Sequence, residues 1–187
     1  INIKSVNGDV FFGNLVACST MTIGTEYGNL VGATVEILGN LDLSSTVGTI
    51  YLNGVNSLAN IKVSTDSGDI KGSAVVSNFV TVTSNSGNLN IIELFLGIAL
   101  KELAPPNQGA PGINTKLTSG DITLEGLQGL MNPSDASNLN VNLQTGGAGN
   151  VKLIINGNGF LGEYDISSLN GKEGVLIEGE TLPDGVW

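Results

Sequence analysis

The chain contains no arginine and no histidine, and its seven lysines stand against 17 acidic residues. A net charge of −10 without a cationic cluster excludes the electrostatic footprint that nucleic-acid binding requires. Without histidine, the usual general base at neutral pH and the commonest nitrogen ligand for transition metals are both missing. Cys18 is the one cysteine, so an intramolecular disulfide and a multi-cysteine metal centre are excluded. No long hydrophobic run is present either. The most apolar stretch, Ile91 to Leu103, carries Glu93, Lys101 and Glu102 and is too short to span a bilayer. Charged residues make up only 13% of the chain, while glycine, Asn, Ser and Thr are abundant, which suits a cell-surface or secreted protein. No signal peptide is visible ahead of Ile1, which opens directly into alternating sequence, as in a processed chain or a fragment.

What the sequence does contain is a repeat. A glycine, then a small polar residue, then an aliphatic one recur as Gly8-Asp9-Val10, Gly28-Asn29-Leu30, Gly48-Thr49-Ile50, Gly68-Asp69-Ile70, Gly87-Asn88-Leu89, Gly120-Asp121-Ile122 and Gly149-Asn150-Val151. These glycines are spaced 20, 20, 20, 19, 33 and 29 residues apart, the last two gaps being one repeat plus insertions. Alignment on the glycine brings out apolar columns on both sides. Seven residues before it stand Ile1, Met21, Leu41, Ile61 and Val80; five before it stand Ile3, Ile23, Leu43, Val63 and Val82. Seven after it stand Leu15, Val35, Val55, Val75 and Leu94. Apolar residues at alternate positions are the period of a strand with one face turned inward. Recurrence at a fixed interval then predicts that equivalent strands stack, each rung burying what none could bury alone. The predicted fold is all-β, a parallel β-solenoid (β-helix) of about seven rungs of ~20 residues with two loop insertions.

The polar columns agree with that stacking. Three residues before the glycine runs an unbroken hydroxyl series, Ser5, Thr25, Ser45, Thr65 and Ser84. One after it, no two aspartates are neighbours, as a stack with rungs ~4.8 Å apart requires if like charges are not to repel. The glycine itself marks a bend needing positive φ, with the next side chain bonding nearby backbone.

The whole chain reads as one domain with four parts. Residues 1–98 are regular rungs. Residues 99–112 form an insertion rich in proline (Pro105, Pro106 and Pro111), with a short helix over Ile92–Leu103 as an alternative lead into it. Residues 113–156 carry further rungs, interrupted by a second loop over Met131–Asn138. Residues 157–187 are an irregular C-terminal cap or docking segment in which Val175-Leu176-Ile177 supply a last partial rung.

The Ser/Asn-Gly-Asp/Asn-aliphatic element, seen at Asn7 to Val10, Ser67 to Ile70, Ser86 to Leu89 and Ser119 to Ile122, resembles that of the adhesin-type β-repeat (β-solenoid) family. The resemblance covers roughly residues 1–155 and implies the solenoid architecture; it implies no catalytic residues, cofactor or metal.

The candidate sites each have a structural counterpart. The Ser/Thr and Asx columns suit either a repetitive ligand such as a glycan or side-chain ladders at the rung corners, the ladders being favoured. Paired threonine columns, as an ice-binding face needs, occur only locally at Thr20-Met21-Thr22 and Thr81-Val82-Thr83. Glu163, Asp165, Glu173, Glu178, Glu180 and Asp184 suit calcium or a solvated acidic surface, and no calcium-loop motif accompanies them. Cys18 shares a column with Leu38 and Leu58 and reads as a buried structural thiol. Asp66 and Asp69, with Asp9 and Asp121 further along the stack, invite comparison with polysaccharide-cleaving β-helices, but they follow the repeat and read as structural.

The expectation is a non-enzymatic, extracellular or cell-surface structural or adhesive protein that self-associates head to tail into filaments. A glycan or other surface ligand is the expected partner, with no cofactor, no nucleic acid and no membrane span. The alternatives are a carbohydrate-binding module using one solenoid face and a polysaccharide-degrading β-helix enzyme.

Overall fold

The computed structural model describes residues 1–17, 19–97, 111–129, 139–146, 149–155, 164–170 and 175–179. Its elements, in chain order, are β1 (Asn2–Asn7), β2 (Val10–Ala17), β3 (Met21–Tyr27), β4 (Leu30–Ile37), β5 (Leu41–Val47), β6 (Ile50–Ser67) and β7 (Ile70–Ser86). They continue as β8 (Leu89–Leu96), β9 (Gly112–Leu117), β10 (Ile122–Gly129), β11 (Leu139–Thr145), β12 (Val151–Ile155), β13 (Tyr164–Asn170) and β14 (Val175–Gly179). No helix occurs among the described residues, and every pairing is parallel. The molecule is a parallel β-solenoid.

Each rung contributes one strand segment to each of two stacked columns. The first column runs β1, β3, β5, the later half of β6, the later half of β7, β9, β11 and β13. The second runs β2, β4, the first halves of β6 and β7, then β8, β10, β12 and β14. The register is that of the repeat: Met21 pairs with Leu41, Leu41 with Ile61, and Ile61 with Val80.

Across the first insertion the stack closes up without loss of register, Val80 pairing with Ile113 and Leu89 with Ile122. Beyond residue 157, where a decaying register is predicted, β13 pairs with β11 and β14 with β12, with Val175 opposite Val151. Each column therefore holds eight strand segments among the described residues, one more rung than the glycine signature counts. The last rung lacks that signature, and its β14 contains the Val175-Leu176-Ile177 segment expected to supply a partial rung. Ile92 to Leu96 lie in β8, so the alternative helix is not formed there; the remainder of Ile92–Leu103, most of the proline-rich insertion and the loop over 131–138 lie outside the described residues.

The inward columns form one continuous core. Met21, Leu41, Ile61, Val80, Ile113 and Val141 stack with at most 1% of their surface exposed. Leu30, Ile50, Ile70, Leu89, Ile122 and Val151 form a second buried file. Each such side chain removed from water contributes about 1.5–3 kcal/mol. At the first rung the pattern persists but the cover does not: Ile1 and Ile3 are 56% and 38% exposed.

One backbone feature divides each second-column strand. In β4, Leu30 and Gly32 face inward, Ala33 and Thr34 both face outward, and Val35 and Ile37 face inward again. The inward phase has shifted by one residue. Thr34 sits there in the left-handed region at φ 55°, and Asn14, Gly54, Ala74, Glu93 and Gly126 occupy the equivalent position with φ between 50° and 69°. A single left-handed residue per rung produces the shift.

Candidate functional site

The Gly–Asx corner joining the two columns is where the repeated polar residues gather. Around it the backbone ladder runs from each rung to the next. Gly28 donates its N–H to the carbonyl of Val47 at 2.9 Å, and Leu30 donates to that of Thr49 at 3.0 Å. Asn29, between them, has an N–H that points back to the preceding rung. It donates to Oδ1 of Asp9 at 2.7 Å, and the Asn29 side-chain amide donates to the same oxygen at 3.2 Å. A backbone donor at a turn is thus satisfied by a side chain one rung away.

The device recurs along the stack. Thr49 N–H donates to Asn29 Oδ1 at 2.8 Å, Asn88 N–H to Asp69 Oδ1 at 3.0 Å, Asp121 N–H to Asn88 Oδ1 at 2.9 Å, and Asn150 N–H to Asp121 Oδ1 at 2.8 Å. Thr49 interrupts it, since no hydrogen bond joins its hydroxyl to Asp69 among the described residues. The glycines permit the close approach. At Gly48, with φ 142°, a Cβ would collide with the carbonyl oxygen of Gly28 in the rung before. Gly8, Gly28, Gly68, Gly87 and Gly120 share the positive φ, whereas Gly149 lacks it and is confined by the Gly120 carbonyl of the neighbouring rung and the Thr145 hydroxyl of its own.

The hydroxyl column completes the corner from inside. Thr25 donates to the carbonyl of Gly8 at 3.3 Å, Ser45 to that of Gly28 at 3.1 Å, and Thr145 to that of Gly120 at 2.6 Å. Thr25, Ser45, Thr65 and Ser84 are all buried, so this column shows little surface to solvent. The hydroxyls of Thr65 and Ser84 have no partner among the described residues.

The aspartates fall in two places. Asp9, Asp69 and Asp121 belong to the corner ladder, while Asp66 faces outward and accepts a hydrogen bond from the side-chain amide of Asn85. Asp69 is held below the usual carboxylate range, first by the backbone N–H of Asn88 and then by Lys71, against an opposing desolvation. Lys71 lies 3.2 Å from Asp69 Oδ2 and 5.9 Å from the centre of the Tyr51 ring.

A second polar corner, at the other end of the middle rungs, escaped the reading of the sequence. There the buried hydroxyl of Ser57 donates to Gly39 carbonyl at 2.9 Å, Ser77 donates to Ala59 carbonyl at 3.2 Å, and Asn60 N–H donates to Asn40 Oδ1 at 3.2 Å. Ser57 and Ser77 replace Ile37 in an otherwise apolar column, the one signal that marks them. Cys18 lies outside the described residues. Of the residues aligned with it, Leu38 is 42% exposed and Leu58 is half-buried. Of the acidic C-terminal cluster only the backbone of Asp165 and Glu178 is described.

The outward side of the first column carries a groove of about 550 Å³. Its floor is paired sheet, and Ser44, Ser64 and Thr83 stand in register along it, followed by Lys116. Among the described residues no three His, Cys, Asp or Glu side chains are grouped so that they could hold a metal ion, and no helix is long and apolar enough to cross a membrane.

The twenty-residue rung, the glycine corner and the parallel stack meet in one comparison: residues 1–96 match the Toastrack DUF4097 family model. The chain belongs to the Toastrack DUF4097 family. No curated protein and no solved structure matches it. The matched Toastrack region coincides with the five regular rungs and ends at Leu96, the last residue of β8, where the proline-rich insertion follows. Membership of this β-repeat family agrees with the architecture that the Ser-Gly-Asp-Ile element implies.

Proposed function

We propose that this Toastrack chain is a non-enzymatic structural or adhesive protein of an extracellular surface or matrix, acting as a stiff spacer. The observation that supports this reading is the use made of the repeated polar residues. Asp9, Asn29, Asn88 and Asp121 clamp backbone amides of neighbouring rungs, and Thr25 and Ser45 clamp the glycine carbonyls. Chemistry that repeats along the whole stack serves length and stiffness, whereas catalysis draws on a few groups converging at one place.

Head-to-tail association belongs to the same proposal: a parallel stack does not close on itself, so copies added along its axis would extend it. The net charge of −10 opposes such stacking, and salt relieves it. Two measurements test the proposal. An antibody to the chain should label intact cells of its source; label confined to permeabilised cells would contradict the surface role. Sedimentation should show association strengthening with ionic strength, and a strict monomer at high protein and salt would remove the filament.

A further inference from the structure

The groove on the outward side of the first column is a concavity whose lining the corner ladder leaves largely unused. That lining comes from five successive rungs, from Thr25 to Thr118. With rungs ~4.8 Å apart, it extends about 19 Å along the solenoid axis. Ser44, Ser64 and Thr83 line one side; Thr46, Asp66 and Asn85 line the other. The hydroxyls of Ser44 and Thr83 have no partner among the described residues. The lining has one carboxylate, Asp66, one ammonium, Lys116, and no aromatic or large aliphatic side chain.

We infer that this groove binds a single extended chain of neutral polysaccharide lying along the solenoid axis. A long, open groove suits a linear polymer better than a compact small molecule. Its free hydroxyls, at Ser44 and Thr83, can each donate and accept, as a partner rich in hydroxyl groups requires. Its two charges are of opposite sign, and Asp66 is already engaged by Asn85, so the site offers little to a polyion. The chain's net charge of −10 further repels a polyanion. An extended peptide would bind a sheet by adding to a free edge, and the floor here is the face of a paired sheet. A sugar unit is comparable in length to the rung spacing, so a chain lying along the axis passes a hydroxyl-bearing side chain at Ser44, Ser64 and Thr83 in turn. This inference does not rest on the spacer role: failed surface labelling would leave the binding standing, and failed binding would leave the spacer standing.

The test is calorimetric titration of the purified chain with cello-, manno- and xylo-oligosaccharides of increasing length, with polygalacturonate as the anionic comparison. At least one neutral series should bind, with affinity rising to about four sugars, the number of ~4.8 Å intervals the groove spans, and then levelling. Ser44→Trp, at an exposed position in the groove, should weaken that binding at least about tenfold. If this variant fails to fold, amide chemical shifts of the wild type decide instead, and should move at Ser44, Ser64 and Thr83. No binding of any neutral series at millimolar concentration, equal or tighter binding of polygalacturonate, or shifts confined to other faces would each overturn the inference.

Discussion

The carboxylate of Asp69 accepts the backbone N–H of Asn88 at 3.0 Å, across the gap between two rungs. That bond, aided by Lys71, holds the Asp69 pKa below its ordinary value in the folded chain. A carboxylate whose folded pKa is depressed contributes stability above the unfolded value of about 3.9 and loses it as pH falls through the folded value. Denaturant titrations should therefore show a loss on acidification that Asp69→Asn reduces. An unchanged pH profile in that variant would show that the bond carries no such linkage.

Thr49 is the break in the ladder, standing where Asn29 and Asn88 present an amide oxygen to the next rung. Thr49→Asn should place an acceptor against the N–H of Asp69. The gain expected for one such bond is about 0.5–1.5 kcal/mol, read as a shift in the urea midpoint with an unchanged slope.

Thr34 holds φ 55° on an exposed bend, a conformation costly for a β-branched residue. Gly54 and Gly126 fill the same position in other rungs. Thr34→Gly should relieve strain of about 1–2 kcal/mol, offset by about 0.5–1 kcal/mol of unfolded-state entropy. The net is a small stabilisation measurable by equilibrium unfolding, and a clear destabilisation would show that no strain is stored there.

Most of the fold was legible because strand period and rung period are independent signals that coincide. Ile50, Leu30 and Ile70 align by sequence spacing and pair in space. Even the left-handed bend left a trace: the inward residues two and seven after the glycine, such as Leu30 and Val35, are an odd number apart, which strict alternation forbids. What stayed hidden depends on contacts between rungs. That Asp9 serves the amide of Asn29 and not its own turn is a matter of tertiary position. The burial of Ser45 and the outward aim of Ser44 follow from strand phase, yet only the stack shows that Ser44, Ser64 and Thr83 stand along one groove. Of the rung at β13 and β14, only Val175-Leu176-Ile177 stood out in the sequence; β13 did not, because no Gly-polar-aliphatic signature accompanies it.

Ile50 has no exposed surface and lies between Leu30 and Ile70. Ile50→Asp should cost several kcal/mol, enough to unfold a domain of ordinary stability. Circular dichroism on heating reads this directly, and a wild-type melting curve would mean that the column is not buried.

The claim on which the rest depends is that the repeated Asx residues bind rung to rung. Native-state amide hydrogen exchange tests it most directly. The N–H groups of Asn29, Asn88, Asp121 and Asn150 sit at turns, yet the structure gives each a side-chain acceptor in the preceding rung. They should exchange slowly in the wild type. In Asn88→Ala the amide of Asp121 should lose protection at least about fivefold more than that of Asn29, since one bond of about 1 kcal/mol or more has gone locally. Corner amides that exchange in the wild type as fast as an unprotected loop would contradict the account.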